Sequence, residues 1–137
     1  MHRTLPKPTP ETLHFWEGCR AGELRLQRCC ACRQPYFPPR PFCPRCASRT
    51  VEVFVATGRA TLYSYVINHL PRPDMGSEPH SIAVVTLAEG PRMMTNIVNC
   101  PQTPEALRLD MPLRVLFRKE SEEISLPLFE PAPDSAR

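Results

Sequence analysis

"CCACRQPYFPPRPFCPRC", Cys29 to Cys46, holds five of the chain's seven cysteines, with prolines and arginines between them. Cys29-x-x-Cys32 is followed, after ten residues, by Cys43-x-x-Cys46. Two residues between thiolates let one tight turn present both sulfurs to one ion, and two such turns complete a tetrahedron with bonds of about 2.3 Å. Four sulfurs leave no open position for water or substrate, so the spacing predicts a structural zinc, about one per chain, that builds the fold and activates nothing. Pro44 pre-sets one backbone angle inside the second turn. Cys30 falls between the ligands of the first turn and reads as a spectator, although spacing alone leaves open a register that uses it. Iron in the same four-sulfur site would make a red electron carrier. A dithiol redox site wants one Cys-x-x-Cys at the start of a helix in a βαβ setting, which two pairs in a proline-rich stretch do not offer.

Charge gathers on the same stretch. From Arg20 to Arg49 there are seven arginines and one acid, Glu23, while Glu120 to Arg137 carries five acids against one base. The net charge of +3 is too small to announce nucleic acid. Zinc held by four thiolates leaves about −2 on the cluster, which offsets part of the local excess. The arginines either neutralise and solvate that cluster or grip phosphate or carboxylate, for which their planar forks are suited.

Further out, Thr9-Pro10-Glu11 predicts a helix start, with a capping hydroxyl, proline at the first helical position and an acid in the first turn. The helix should run to about Ala21 and end at Gly22 in a left-handed cap. Leu24 and Leu26 alternate with charged residues before the cysteines, and Val51 to Val55 alternates after them, as short strands flanking a metal ribbon. From Gly58 the runs RATLYSYVINHL, SIAVVTLA, RMMTNIVNC and PLRVLFRK, punctuated by Gly and Pro, predict a small antiparallel barrel. A single helical hint follows, at Thr103 to Leu107. The expected fold is mainly β: an N-terminal helical arm over 1–23, a zinc ribbon over 24–56, and a five-stranded Greek-key barrel of the oligonucleotide/oligosaccharide-binding type over 57–137, ending in a loose EPAPDSAR tail.

The 137 residues, 42% of them hydrophobic, allow one ordinary domain or two small ones. No apolar run is long enough to span a bilayer, and MHRTLPKPTPE has no apolar stretch behind its basic residues. An odd number of cysteines, four of them in Cys-x-x-Cys pairs, suits a reducing compartment, so a cytoplasmic setting is expected.

The order FWEG, GELRLQRC, YFPPRPFCPRC, GRATLYSY, AEGPR, DMPLRVLF and LPLFEPA, from about Phe15 to Ala132, resembles a domain-of-unknown-function family. In it a rubredoxin-like zinc ribbon is joined to an OB-fold barrel, and its members accompany thiolases, thiolase-like aldolases, acyltransferases or CoA-ester hydratases. The YFPPR segment is the most specific part of the match. This sequence departs from the family where glycine usually follows the second cysteine of each pair, having Arg33 and Ala47 there, and in the turn Asp110-Met111-Pro112, usually Gly-Met-Pro. If Arg33 and Ala47 turn left-handed, each costs on the order of 1 kcal/mol. None of these changes removes a ligand.

No nucleophile, base and orienting group can be assembled from motif spacing. His2, His14, His69 and His80 are scattered, and Cys19 and Cys100 read as packing residues. The resemblance therefore implies a non-catalytic accessory subunit of a hetero-oligomer, docked on a thiolase-like or hydratase-type enzyme subunit and helping to bind acyl-CoA. Phe15 and Trp16 would meet the partner; Arg33, Arg40 and Arg45 would hold CoA phosphates; Tyr36 or Phe37 would stack on the adenine or line the acyl tunnel. Solvated arginines and ribbon-core aromatics are the plainer reading of the same residues. The competing function is a single-stranded nucleic-acid-binding module, but interleaved aromatics on the barrel strands are confined to Tyr63 and Tyr65. A pure scaffold without ligand contact is not separable from the first reading by sequence.

Overall fold

A computed structural model describes residues 5–71 and 76–133. Helix α1 spans Leu13–Ala21, later than Thr9-Pro10-Glu11 suggested. Thr9 instead opens a turn: Thr12 N–H donates to Thr9 O at 3.0 Å, and Thr9 N–H donates to Thr12 Oγ1 at 2.9 Å. The capping hydroxyls are used on each other, and regular helix begins one turn later. At the far end Gly22 has φ of 83°, and Glu23 N–H reaches Gly18 O at 2.7 Å while Gly22 N–H reaches Cys19 O at 3.2 Å, which satisfies two orphan carbonyls. Phe15, Gly18 and Cys19 form the buried face.

Strands β1 (Arg25–Cys29), β2 (Pro35–Tyr36) and β3 (Val51–Val55) make a sheet in the order β2-β1-β3. β1 carries its first knuckle directly at its end, and β3 pairs along all of it, from Arg25↔Val55 to Cys29↔Val51. Arg28 bridges to Glu52 at 3.1 Å and lies over the Phe54 ring at 4.2 Å, so the charged face of this short sheet is also packed.

The second sheet has five antiparallel strands in the order β6-β5-β4-β7-β8, from β4 (Arg59–Asn68), β5 (His80–Leu87), β6 (Arg92–Thr95), β7 (Pro112–Lys119) and β8 (Ser125–Pro131). Strict alternation in β5 buries Ser81, Ala83, Val85 and Leu87. The sheet curls until its ends meet: Phe129 N–H donates to Asn96 O at 3.2 Å and Val98 N–H to Phe129 O at 2.8 Å. This is the OB-like barrel, and Phe129, fully buried, plugs it.

Three local expectations are corrected. The run RMMTNIVNC is strand only to Thr95, because Asn96 turns its amide onto Ser81 O at 2.6 Å and the chain leaves β5. Thr103 to Leu107 is a single turn rather than a helix, with Leu107 N–H on Thr103 O at 3.0 Å and Leu107 delivered to the core. Glu130 and Pro131, read as the start of a loose tail, belong to β8, and Glu130 pairs with Arg114 at 2.8 Å; 134–137 lie outside the described residues, as does His2.

One hydrophobic core joins all of these elements. Phe15 and Cys19 of α1 and Leu24 and Leu26 of the ribbon cluster with Leu62, Val85, Leu113 and Phe129 of the barrel. No helix among the described residues is long and apolar enough to cross a membrane. The chain passes from ribbon to barrel at Gly58, whose φ is 83° and whose carbonyl accepts Val115 N–H at 2.8 Å. A Cβ at Gly58 would lie 2.6 Å from Val115 Cγ1, whereas at Gly22, with the same φ, it would meet open space. Gly58→Ala is therefore expected to lower the unfolding free energy by about 2 kcal/mol, strain plus clash, against about 1 kcal/mol for Gly22→Ala. Denaturant titration of the two variants checks the difference.

Candidate metal centre and adjoining clefts

Two backbone turns of the same shape build the site. In the first, Arg33 N–H donates to Cys29 O at 2.9 Å, and the N–H groups of Ala31 and Cys32 both reach Cys29 Sγ at 3.3 Å. In the second, Ala47 N–H donates to Cys43 O at 2.9 Å, and Arg45 and Cys46 N–H reach Cys43 Sγ at 3.3 and 3.4 Å. Each turn closes through a left-handed residue, Arg33 at φ 67° and Ala47 at φ 66°. Asp110, at φ 67°, does the same in the barrel. All three positions thus carry left-handed strain without glycine.

The turns bring the sulfurs of Cys29, Cys32, Cys43 and Cys46 within 4.8 Å of one another. Cys29 and Cys46 are 3.5 Å apart and Cys32 and Cys43 3.7 Å, too far for disulfides and close to the edge of about 3.8 Å for sulfurs tetrahedral around zinc. Cys30 is outside this group; its N–H is spent on Thr50 O at 2.9 Å, which ties the first knuckle to the approach to β3. The donor set fits a closed, structural zinc held by four thiolates.

Electrostatics favour the ligating form. Donation from Cys32 N–H, joined by Ala31 N–H, holds Cys29 down to about 6, and donation from Cys46 N–H lowers Cys43 as well. Cys46 moves up, to about 11: the Ser48 N–H favours its thiolate, but contact with the neighbouring sulfurs, Cys29 first, and burial outweigh it. A dication at the centre reverses that opposition by attracting all four thiolates at once.

Around the centre, Arg33, Arg40 and Arg45 are exposed and, like Arg49, have no side-chain partner among the described residues. Arg25, Arg28, Arg114 and Arg118 are by contrast ion-paired. Tyr36 is buried, its hydroxyl donating to Arg40 O at 2.9 Å, while Arg40 N–H donates to Gln27 Oε1 at 2.6 Å; these bonds fix the YFPPR loop on β1. Phe37 lands on Phe15 (centroids 5.3 Å apart), which meets Trp16 edge-on at 5.0 Å. Phe15 is 4% exposed and belongs to the core, so the half-buried Trp16 and Phe37 are left at the surface.

These aromatics line an apolar groove of about 290 Å³ with Met93, Met94 and Leu126 from the barrel. Met94 is 69% exposed. Sequence reading missed the methionines: alternation in RMMT puts one inside and one outside, but that β6 borders the groove with Trp16 and Phe37 is a property of the closed barrel. A larger cleft of about 660 Å³, with Leu87, Pro112 and Leu113 in its lining, draws no residue from the ribbon.

Two thiols away from the ribbon, Cys19 and Cys100, are held in the protonated form. Burial pushes Cys19 up to about 12 and also raises Cys100. Burial, helped by Arg25, lowers His14, whose Nε2 is buried without a partner.

Residues 16–52 match the family model described as the rubredoxin-like zinc ribbon domain of ChsH2, and 54–118 match the ChsH2 C-terminal OB-fold domain. A DUF35 domain-containing scaffold protein of Methanocaldococcus jannaschii is 34% identical over 98 residues, 70% of this chain and 68% of that protein. The chain belongs to the DUF35 family. A solved chain described as Ltp2-ChsH2(DUF35) aldolase matches the DUF35 chain with a TM-score of 0.82 and 31% identity, over 93% of this chain and 98% of that one. A probable enoyl-CoA hydratase alpha subunit of Thermomonospora curvata is 35% identical over 130 residues, 95% of this chain; the DUF35 chain spans 40% of that relative's length.

Purified without chelator, the DUF35 chain is expected to carry about one zinc, lost in Cys43→Ser and kept in Cys30→Ser, by metal analysis. In the metal-free ribbon the stability that the Cys29 thiolate contributes is complete above its ordinary value of 9.0 and is lost as pH falls through about 6, and a protonated thiol does not ligate. Chelator-driven release, followed with a chromophoric chelator, should quicken over that descent. Ala47→Gly should raise the stability of the zinc-loaded protein by about 1 kcal/mol through relief of left-handed strain, read by denaturant titration.

Proposed function

We propose that this DUF35 chain is a non-catalytic accessory subunit that docks on a thiolase-like or hydratase-type enzyme subunit and helps it enclose an acyl-CoA substrate. In this reading zinc is purely structural, the assembly is hetero-oligomeric and cytoplasmic, and the helical arm (1–23), ribbon (24–56) and barrel (57–137) act as one platform. The observation that carries it is the likeness, over 98% of the other chain, to an Ltp2-ChsH2(DUF35) aldolase structure. Two features of the site support it. A closed four-thiolate centre offers no position for substrate. The groove between α1 and the barrel leaves Trp16, Phe37 and the highly exposed Met94 uncovered side by side, an arrangement suited to burial against another subunit.

The test is co-expression with a thiolase-fold or hydratase enzyme encoded beside it. Co-elution is expected, with acyl-CoA retained by the complex more tightly than by either chain alone. Met94→Glu, a surface change that spares folding and zinc content, should weaken association by about tenfold or more. A chain that elutes alone and leaves the enzyme's turnover unchanged would overturn the reading, and salt-sensitive binding to single-stranded oligonucleotides would replace it with the nucleic-acid module.

A further inference from the structure

We propose that the cleft between the zinc knuckles and the barrel is a phosphate-binding site, with Arg45 of the ribbon and Arg92 of β6 as its paired anion-binding groups. The cleft has a volume of about 260 Å³, and its lining holds two guanidinium groups and no carboxylate. Arg45 sits in the second knuckle loop and Arg92 on β6 of the five-stranded sheet, so only the folded chain brings them to one cavity.

Arg92 is held ready. Its Cζ lies 3.7 Å over the Tyr63 ring, and its Nε donates to Thr86 Oγ1 at 3.3 Å on the neighbouring strand. Stacking and the Nε bond fix the plane of the guanidinium, while its Nη groups have no acceptor among the described residues. Tyr63 can serve as the platform because it continues the outward face of Arg59 and Thr61, opposite buried Ala60 and Leu62, and is 48% exposed. Arg45 is anchored at its root, where its N–H bonds to Cys43 Sγ at 3.3 Å, and its side chain is unpartnered among the described residues. The thiolates around zinc contribute about −2 nearby. Arg33 and Arg45 of the same loops offset that charge. Planar forks whose donors are already oriented suit a phosphate or pyrophosphate better than a flexible ammonium would.

Phe37 lines both this cleft and the apolar groove, and Arg92 directly precedes Met93 and Met94 of that groove. A molecule with phosphate at one end and an apolar group at the other would lie across Phe37. That the ligand is a CoA ester rests on the function proposed above; the anion site does not.

Calorimetric titration of the zinc-loaded full chain with inorganic pyrophosphate and with CoA tests the site. Both should bind and compete. Arg45→Ala and Arg92→Lys should each weaken binding about tenfold, the second despite keeping its charge. Arg49→Ala, which removes the same charge outside the cleft, should leave affinity nearly unchanged. CoA binding more tightly than pyrophosphate identifies a CoA moiety as occupant, and equal affinities identify the free anion; either supports the site. No binding of either probe, or an equal loss in Arg49→Ala, overturns it. A chain that joins its partner enzyme but ignores both anions removes this inference and leaves the accessory role standing; one that binds anions but joins no partner does the reverse.

Discussion

The constraint on which the ribbon depends is mutual repulsion among four sulfurs that two backbone turns force into one small volume. N–H donation to Cys29 and Cys43 favours their thiolates, yet Cys46 is driven the opposite way by its neighbours. Without a cation the centre works against itself. With one, the same crowding becomes coordination, and the loops that carry Arg33, Arg45 and the YFPPR segment acquire a fixed shape. Left-handed strain at Arg33 and Ala47 is tolerated because the metal over-determines those turns.

What the ribbon supports is a wall. The YFPPR loop is tied to β1 through Gln27 and Tyr36, and this places Phe37 against Phe15. The exposed side of that contact faces the barrel's methionines, while the exposed side of the knuckles carries arginines that have no ion pair among the described residues. Apolar and cationic surfaces therefore adjoin at one residue. Neither is built by ribbon or barrel alone.

Legibility in the sequence followed the range of the interactions involved. The metal ligands could be read because Cys-x-x-Cys is a complete local instruction, and the strands Val51–Val55 and Pro112–Lys119 because period-two alternation is local as well. The helix start was misread since Thr9 and Thr12 are both capping residues and only their contact decides between them. Arg92 escaped notice because its significance depends on which strand lies next to which, and that alone brings Tyr63 and Thr86 to its guanidinium. Phe15 was a docking candidate on the strength of the resemblance, and contacts from far along the chain, Phe37 among them, make it part of the core.

A single core runs beneath the molecule's helix, ribbon and barrel. Leu24 and Leu26 of the ribbon share that core with Leu62 and Val85 of the barrel, so the two arms are packed together rather than hinged. The separation between its charged and greasy surfaces is then a fixed gauge. Guests would be sorted by the length of the tether between their own two ends, a selectivity that needs no moving part.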